Sequence, residues 1–289
     1  MHQKKLALVN DVTGYGRCSI AVALPIVSAL KVQGCILPTA ILSVHTCFHD
    51  YYFDDYTDHM TPYIESWKKN GLTFDGISTG FLGSARQIDI VLDFLHDFKG
   101  PQTLAFIDPV MGDDGQLYPS YTQEMCDEMR RLLAYADVVT PNVTEACELL
   151  SLPYRSDRDL GEADLLAMAQ ALAEKGPQGV ILTGIHDGPY IGNFIYDHGR
   201  TSWVKAKKVG SDRSGTGDVF AAIVSASVVR GESLEQAVQK ASDFICRVMA
   251  YTETLDLPHN AGLAFEEYLT TLRRALIYTQ IDKKGDRVS

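Results

Sequence analysis

No apolar run in this chain reaches the length of a membrane-spanning helix. The six cysteines, Cys18, Cys35, Cys47, Cys126, Cys147 and Cys246, show no C-x-x-C spacing. That leaves no zinc or redox motif and fits a reducing compartment. Positive charge is scarce: 26 Lys and Arg stand against 37 Asp and Glu, a formal net charge of -11. General binding to nucleic acid or to an anionic membrane is therefore not expected. The sequence has no G-x-x-x-x-G-K-[ST] loop and no protein-kinase signature set, and Gly14 and Gly16 lack the third glycine of a dinucleotide fingerprint. A P-loop enzyme, a protein kinase and a Rossmann dehydrogenase all fit poorly. The eight histidines show no metal-ligand spacing. The basic start, residues 1–5, is followed by an apolar run of only 6–9, too short for a signal peptide. The expected location is the cytoplasm.

What is present is ordinary globular composition, 46% apolar and 22% charged over 289 residues, enough to bury a sizeable core. No repeat and no Pro/Gly/Ser-rich linker divides it, so one domain over 1–289 is expected, with a frayed polar tail at 283–289. Short apolar runs at 6–9, 36–43, 75–79, 104–108, 137–140 and 180–183 read as strands. Between them, 20–32, 84–98, 123–135 and 162–175 read as helices and 62–70 as the end of one. This β-α alternation predicts a parallel sheet covered on both faces. Segments 190–196 and 201–205 flank Asp197-His198-Gly199-Arg200 and predict a hairpin. Helices at 217–230, 234–251 and 262–278 follow.

In such sheets ligands bind beyond the carboxyl ends of the strands. The richest segment is Gly215-Thr216-Gly217-Asp218, ahead of the apolar run 219–224. Two glycines permit a tight turn, and the helix behind them offers unpaired N–H groups to an anion. A carboxylate inside an anion site is electrostatically costly, and accepting a proton from an attacking hydroxyl explains it. Helix capping by Asp218 is the plainer reading. Lys205, Lys207, Lys208 and Arg213 precede this loop; they suggest a polyphosphate, or a solvated strand edge.

Four further segments fall at strand ends. Asn10-Asp11 with Gly14 and Gly16 suits a small-molecule pocket. Asp108, before Pro109, either holds a cation or caps a turn. Asn142 and Glu145 are three apart, on one face of a helix start. That spacing suits Mg²⁺ held mostly through water and phosphate, and equally a capping box. His45-Thr46 follows the second strand, where a lone histidine is more often structural.

These motifs, in this order, resemble the vitamin-kinase branch of the ribokinase-like superfamily: pyridoxal/pyridoxamine kinases and hydroxymethylpyrimidine kinases. The matching segments are Gly80-Phe81-Leu82-Gly83-Ser84, Asp108-Pro109-Val110-Met111-Gly112-Asp113, Thr140-Pro141-Asn142-x-x-Glu145 and Gly215-Thr216-Gly217-Asp218. Pyridoxal kinases are the nearest likeness, through Gly80–Ser84 and Ser43-x-His45-Thr46. The resemblance spans about residues 4–275. It implies a three-layer α/β/α sandwich with a mostly parallel central sheet. It implies Asp218 as base, Gly215, Thr216 and Gly217 as anion hole, and Asp108, Thr140, Asn142 and Thr183 around ATP. It further implies Asn10, His45, Thr46 and Phe81 around the vitamin, Glu145 and Asp108 at Mg²⁺, K⁺ as a candidate monovalent ion, and a homodimer. Where pyridoxal kinases carry Ser-His-Val after the first strand, this chain has Asn10-Asp11-Val12, which leaves the vitamer open.

The activity expected is ATP-dependent phosphorylation of the 5'-hydroxymethyl group of pyridoxal, pyridoxamine or pyridoxine. Hydroxymethylpyrimidine or a sugar is the alternative substrate. A catalytically silent nucleotide- or vitamin-binding sensor is the alternative of another class.

Overall fold

The structure, a computed structural model, describes residues 2–273. The first strand, β1 (Lys5–Tyr15), lies inside its main sheet, and Leu6, Ala7, Leu8 and Val9 are all buried. Alternation sends Leu6 and Leu8 to one face of the sheet and Ala7 and Val9 to the other, and each pair joins a separate core.

The remaining elements follow as α1 (Ser19–Ala29), β2 (Gln33–Val44), β3 (Phe53–Asp55), α2 (Thr57–Lys69), β4 (Gly76–Thr79), α3 (Ala85–Phe98), β5 (Leu104–Ile107), β6 (Gly112–Asp113) and β7 (Gln116–Leu117). Next come α4 (Gln123–Met129), β8 (Val138–Val139), α5 (Val143–Leu150), α6 (Glu162–Ala173), β9 (Gly179–Asp187), β10 (Tyr190–Asp197), β11 (Arg200–Lys207), α7 (Thr216–Val229) and α8 (Leu234–Thr252). Nine strands form one sheet in the order β11-β10-β9-β8-β5-β4-β1-β2-β3; β6 and β7 pair separately. Strands β2, β1, β4, β5, β8 and β9 run parallel, and the antiparallel pairings lie toward the two edges. Helices α1, α7 and α8 cover the face of Leu6 and Leu8; α2 to α6 cover the other. Thus the mostly parallel α/β/α sandwich expected from the motifs is the fold.

Several local expectations change. The first strand does not end at Val9. After a register shift between Asn10 and Val12 it continues to Tyr15, because the longer β2 offers Ile41, Leu42 and Val44 as partners. The helix expected over 123–135 turns 3₁₀ at Arg130–Tyr135. Strand β3 and the β6–β7 hairpin were not legible as strands; each is three residues or fewer. The 190–205 hairpin forms as expected, with His198 and Gly199 at positive φ. Of the helix expected over 262–278, Glu266–Arg273 is a 3₁₀ segment. Residues 262–265 ahead of it are not helical, and 274–278, like the tail at 283–289, lie outside the described residues.

One glycine sets the depth of the packing. A Cβ on Gly76 would stand 2.6 Å from Val229 Cγ2, so its absence lets α7 settle onto β4. That close approach carries the start of α7 over the carboxyl ends of the central strands.

Candidate active site

Gly215 caps α7 in the left-handed region, φ 80°. A Cβ here would lie 1.8 Å from the Arg17 carbonyl oxygen, so only glycine fits. Thr216 Oγ1 donates to the Arg213 carbonyl at 2.8 Å and braces the turn. The first intrahelical bond at this end is Val219 N–H to the Gly215 carbonyl. The N–H groups of Thr216, Gly217 and Asp218 therefore precede the helical ladder and face outward. A Cβ on Gly217 would meet nothing within 4 Å, so the amide face is open.

Asp218 sits in that first turn, partly buried. Asn10 Nδ2 donates to its Oδ1 at 3.2 Å. Burial pushes its carboxyl up to about 6, with the charge of Asp11 adding to the rise; the Ser19 N–H and the Asn10 amide oppose it. Ser19 supplies that N–H from φ 53°, a strained conformation for a non-glycine residue. The N-cap position itself is Gly215, which has no side chain to cap with, and Asp218 lies three residues further on in the first turn. Its proton affinity lies near neutrality, as a general base requires.

Asp108 follows β5. Burial and the facing charge of Asp218 push its carboxyl up to about 7, while Thr140 Oγ1, donating at 3.1 Å, opposes the rise. Asp108, Asp218, Asn10 and Gly80 line one small cavity of about 20 Å³, so carboxylates from β5 and α7 converge on one point. Asn142 and Glu145 form the capping box. Asn142 Oδ1 accepts from Glu145 N–H and Glu145 Oε2 from Asn142 N–H, both at 2.9 Å. Glu145 Oε1 also accepts from Met111 N–H at 3.1 Å. Burial, then the Asp108 charge, hold the Glu145 carboxyl well above its ordinary range. Asn142 Nδ2 donates to the Gly112 carbonyl, and Thr183 N–H donates to the Pro141 carbonyl beside an Asn142–Thr183 bridge. Asp108, Thr140, Asn142, Thr183 and Glu145 are thereby brought to adjacent strand ends.

On the opposite side of Asp218, Asn10 is already well used. Its Oδ1 accepts from Phe81 N–H at 2.9 Å and from Asp11 N–H at 3.0 Å. With both lone pairs engaged, only one N–H remains for a ligand. The asparagine fits because Gly80 has no side chain; a Cβ there would stand 2.4 Å from Asn10 Nδ2. Phe81 is half-buried next to it, and its carbonyl accepts from Thr39 Oγ1. Thr46 is exposed on the turn after β2. His45 is buried, and both its nitrogens are taken: Nδ1 accepts from Cys47 N–H and Nε2 donates to the Asn260 carbonyl at 2.6 Å.

The basic cluster before the loop does not converge. Lys205 pairs with Asp187 over the Trp203 ring, Lys208 contacts His186 Nε2, and the Arg213 guanidinium is buried. Lys205 and Lys207 lie on β11, the sheet edge, as the solvated-edge reading held. Sequence reasoning named Asp11, Gly80 and Arg213 only within longer segments, without a role of their own, and did not name Ser19.

Among the described residues no cluster of three His, Cys, Asp or Glu side chains could cage a metal, and no helix is long and apolar enough to cross a membrane. The donors present suit Mg²⁺, which needs only one or two carboxylates when phosphates and waters complete its shell.

A mostly parallel α/β sandwich with a carboxylate at an open helix end suits the class of small-molecule phosphotransferases. Residues 20–263 match the phosphomethylpyrimidine kinase family, and the chain belongs to it. It is 30% identical over 197 residues to a hydroxymethylpyrimidine/phosphomethylpyrimidine kinase of Haemophilus influenzae, covering 66% of this chain and 71% of the relative. It is 27% identical over 254 residues to a pyridoxine/pyridoxal/pyridoxamine kinase of Bordetella avium, covering 84% and 83%. A solved structure from Bacteroides thetaiotaomicron, described as a phosphomethylpyrimidine kinase in a form with pyridoxal, superposes with TM-score 0.91 at 38% identity, covering 96% and 98%. The protein is an ATP-binding kinase of the phosphomethylpyrimidine/pyridoxal kinase group.

Proposed function

We propose that this kinase transfers the γ-phosphoryl group of ATP to the 5'-hydroxymethyl group of pyridoxal, pyridoxamine or pyridoxine. The observation that carries the reading is Asp218: a carboxylate with raised proton affinity, inside an open helix end, facing a second carboxylate. The substrate assignment draws on the pyridoxal-bound relative at 38% identity.

In this reading the hydroxymethyl oxygen bonds to the γ-phosphorus, the bond from phosphorus to the ADP oxygen breaks, and the hydroxyl proton passes to Asp218. The N–H groups of Thr216, Gly217 and Asp218, with the Gly215 turn, hold the equatorial oxygens as charge develops. Thr140, Asn142 and Thr183 line the nucleotide side. Asn10, Thr46 and Phe81 line the vitamin side, with His45 fixing the turn that carries Thr46. Mg²⁺ would be reached by Asp108 and, through water, by Glu145, where it neutralises phosphate charge. K⁺ is tested by replacing it with tetramethylammonium.

Glu145→Gln is expected to raise the Mg²⁺ concentration for half-maximal rate several-fold while vitamer KM stays near normal. Thermal destabilisation with unmoved Mg²⁺ dependence would leave Glu145 as a helix cap alone.

Hydroxymethylpyrimidine is the second reading, favoured by the family match and by the hydroxymethylpyrimidine/phosphomethylpyrimidine kinase relative. ATP consumption by purified protein, offered each B6 vitamer and hydroxymethylpyrimidine, decides between them. Turnover confined to the pyrimidine would overturn the B6 assignment. A sugar kinase would turn over neither, and a silent sensor would bind without turnover.

We further read the protein as a cytoplasmic homodimer of single-domain subunits. Tyr15, Ile41, Tyr51, Tyr52 and Phe53 expose large apolar surface around the edge strand β3. Light scattering giving a monomer mass would remove that reading.

A further inference from the structure

Residues 253–262 form a strap after α8, with one 3₁₀ turn at His259–Ala261. Side chains from three distant segments hold its main chain. His45 donates to the Asn260 carbonyl, Arg17 to the Ala261 carbonyl at 3.0 Å, and Arg213 Nη1 to the carbonyls of Leu257 and Pro258 at 3.4 and 3.2 Å. Arg213 also forks onto Glu253 Oε1, through Nε at 3.2 Å and Nη2 at 3.0 Å. Its side chain is only 4% exposed. A buried cation persists only when well partnered, and here every partner but Glu253 is a strap carbonyl.

The other end of the same residue touches the proposed anion hole. The Arg213 carbonyl accepts from Thr216 Oγ1, at the first residue of α7. The strap meets the loop again at Gly262, where a Cβ would stand 3.0 Å from the Arg17 oxygen and 3.1 Å from the Ser214 oxygen. Arg213 thus joins strap and helix start within one residue.

We propose that Arg213 is a positioning residue for phosphoryl transfer. Its guanidinium pins the 253–262 strap so that the Thr216, Gly217 and Asp218 amides keep the orientation that receives the transferred group. This rests on the kinase reading of the site. Lysine cannot replace it, because a point ammonium has no planar fork to span Glu253 and two carbonyls.

Arg213→Ala should lower kcat about 10- to 100-fold, the size expected when reacting groups are misplaced by about an ångström. Vitamer KM should stay near normal. Added guanidinium chloride, at millimolar levels far below denaturing ones, should restore much of the rate, and Arg213→Lys should remain slow. Glu253→Gln, a milder change at a half-exposed partner, should lose rate in the same direction but less. Wild-type turnover in both variants, or a loss that guanidinium does not relieve, would overturn the proposal. Hydrogen exchange of the 214–219 amides gives a second readout, independent of activity. It should quicken in Arg213→Ala and slow again with guanidinium. Should the wild-type protein phosphorylate neither a B6 vitamer nor hydroxymethylpyrimidine, the proposed activity fails, while the exchange result still decides the role of Arg213 in holding the loop.

Discussion

Asp218→Asn should turn over substrate roughly 10²–10⁴-fold more slowly, the usual loss when a general base is removed, and should at the same time be more stable at pH 7. The rate loss follows from the proton, for which Asp218 is the proposed acceptor; Asp108, across the same cavity, is assigned to Mg²⁺. The stability gain follows from linkage. The ordinary Asp value is 3.8 and the folded value is pushed up to about 6. Between those values the folded protein binds more protons than the unfolded chain, so stability falls as pH rises through that window. At pH 7 the ionised carboxylate is a net cost. Asparagine keeps the acceptor for Asn10 and Ser19 without the charge. Allowing for the open side of the site, the gain should be about 1–3 kcal/mol. Thermal melts at pH 5 and pH 7 should show the two proteins converging at the lower pH. In the wild type, kcat/KM should fall below pH of about 6, approaching tenfold per unit. Wild-type turnover in the mutant would return Asp218 to a structural role.

Gly215→Ala and Gly217→Ala should separate the two jobs of the glycine turn. At Gly215 the φ of 80° and the 1.8 Å approach to the Arg17 oxygen leave no room for a methyl group. The substitution should destabilise the protein by at least about 1–3 kcal/mol and lower turnover by about 10²–10³, as loss of oriented N–H donors does. At Gly217 nothing lies within 4 Å of the added methyl group, and the residue is helical. Its stability should be unchanged or raised by up to about 1 kcal/mol. Its turnover should still fall, because the methyl group projects from the face the phosphoryl group approaches. Paired melting curves and kcat measurements read both effects. Full activity in Gly217→Ala would mean that the phosphoryl group docks elsewhere.

Much of this was legible in order along the chain. Buried strands such as 6–9 and 180–183 announce themselves as apolar runs bounded by turn residues, and the hairpin at 190–205 by its His198-Gly199 turn. Gly215–Asp218 was readable because glycine, glycine and carboxylate before an apolar helix is an unusual local arrangement. The sequence alone therefore determined the layered α/β class and singled out Asp218 as the candidate base. Tertiary structure decided what Asn10, His45, Glu145 and Arg213 do. Each is a polar residue whose role depends on its partner, and the partners lie 208, 215 and 40 residues away for Asn10, His45 and Arg213. Glu145 has both a local partner, Asn142, and a distant one, Met111, and only burial reveals that both of its oxygens are engaged. A side chain's donors and acceptors are read from sequence; which of them remain free for a ligand is fixed by packing between distant segments, which no local pattern encodes.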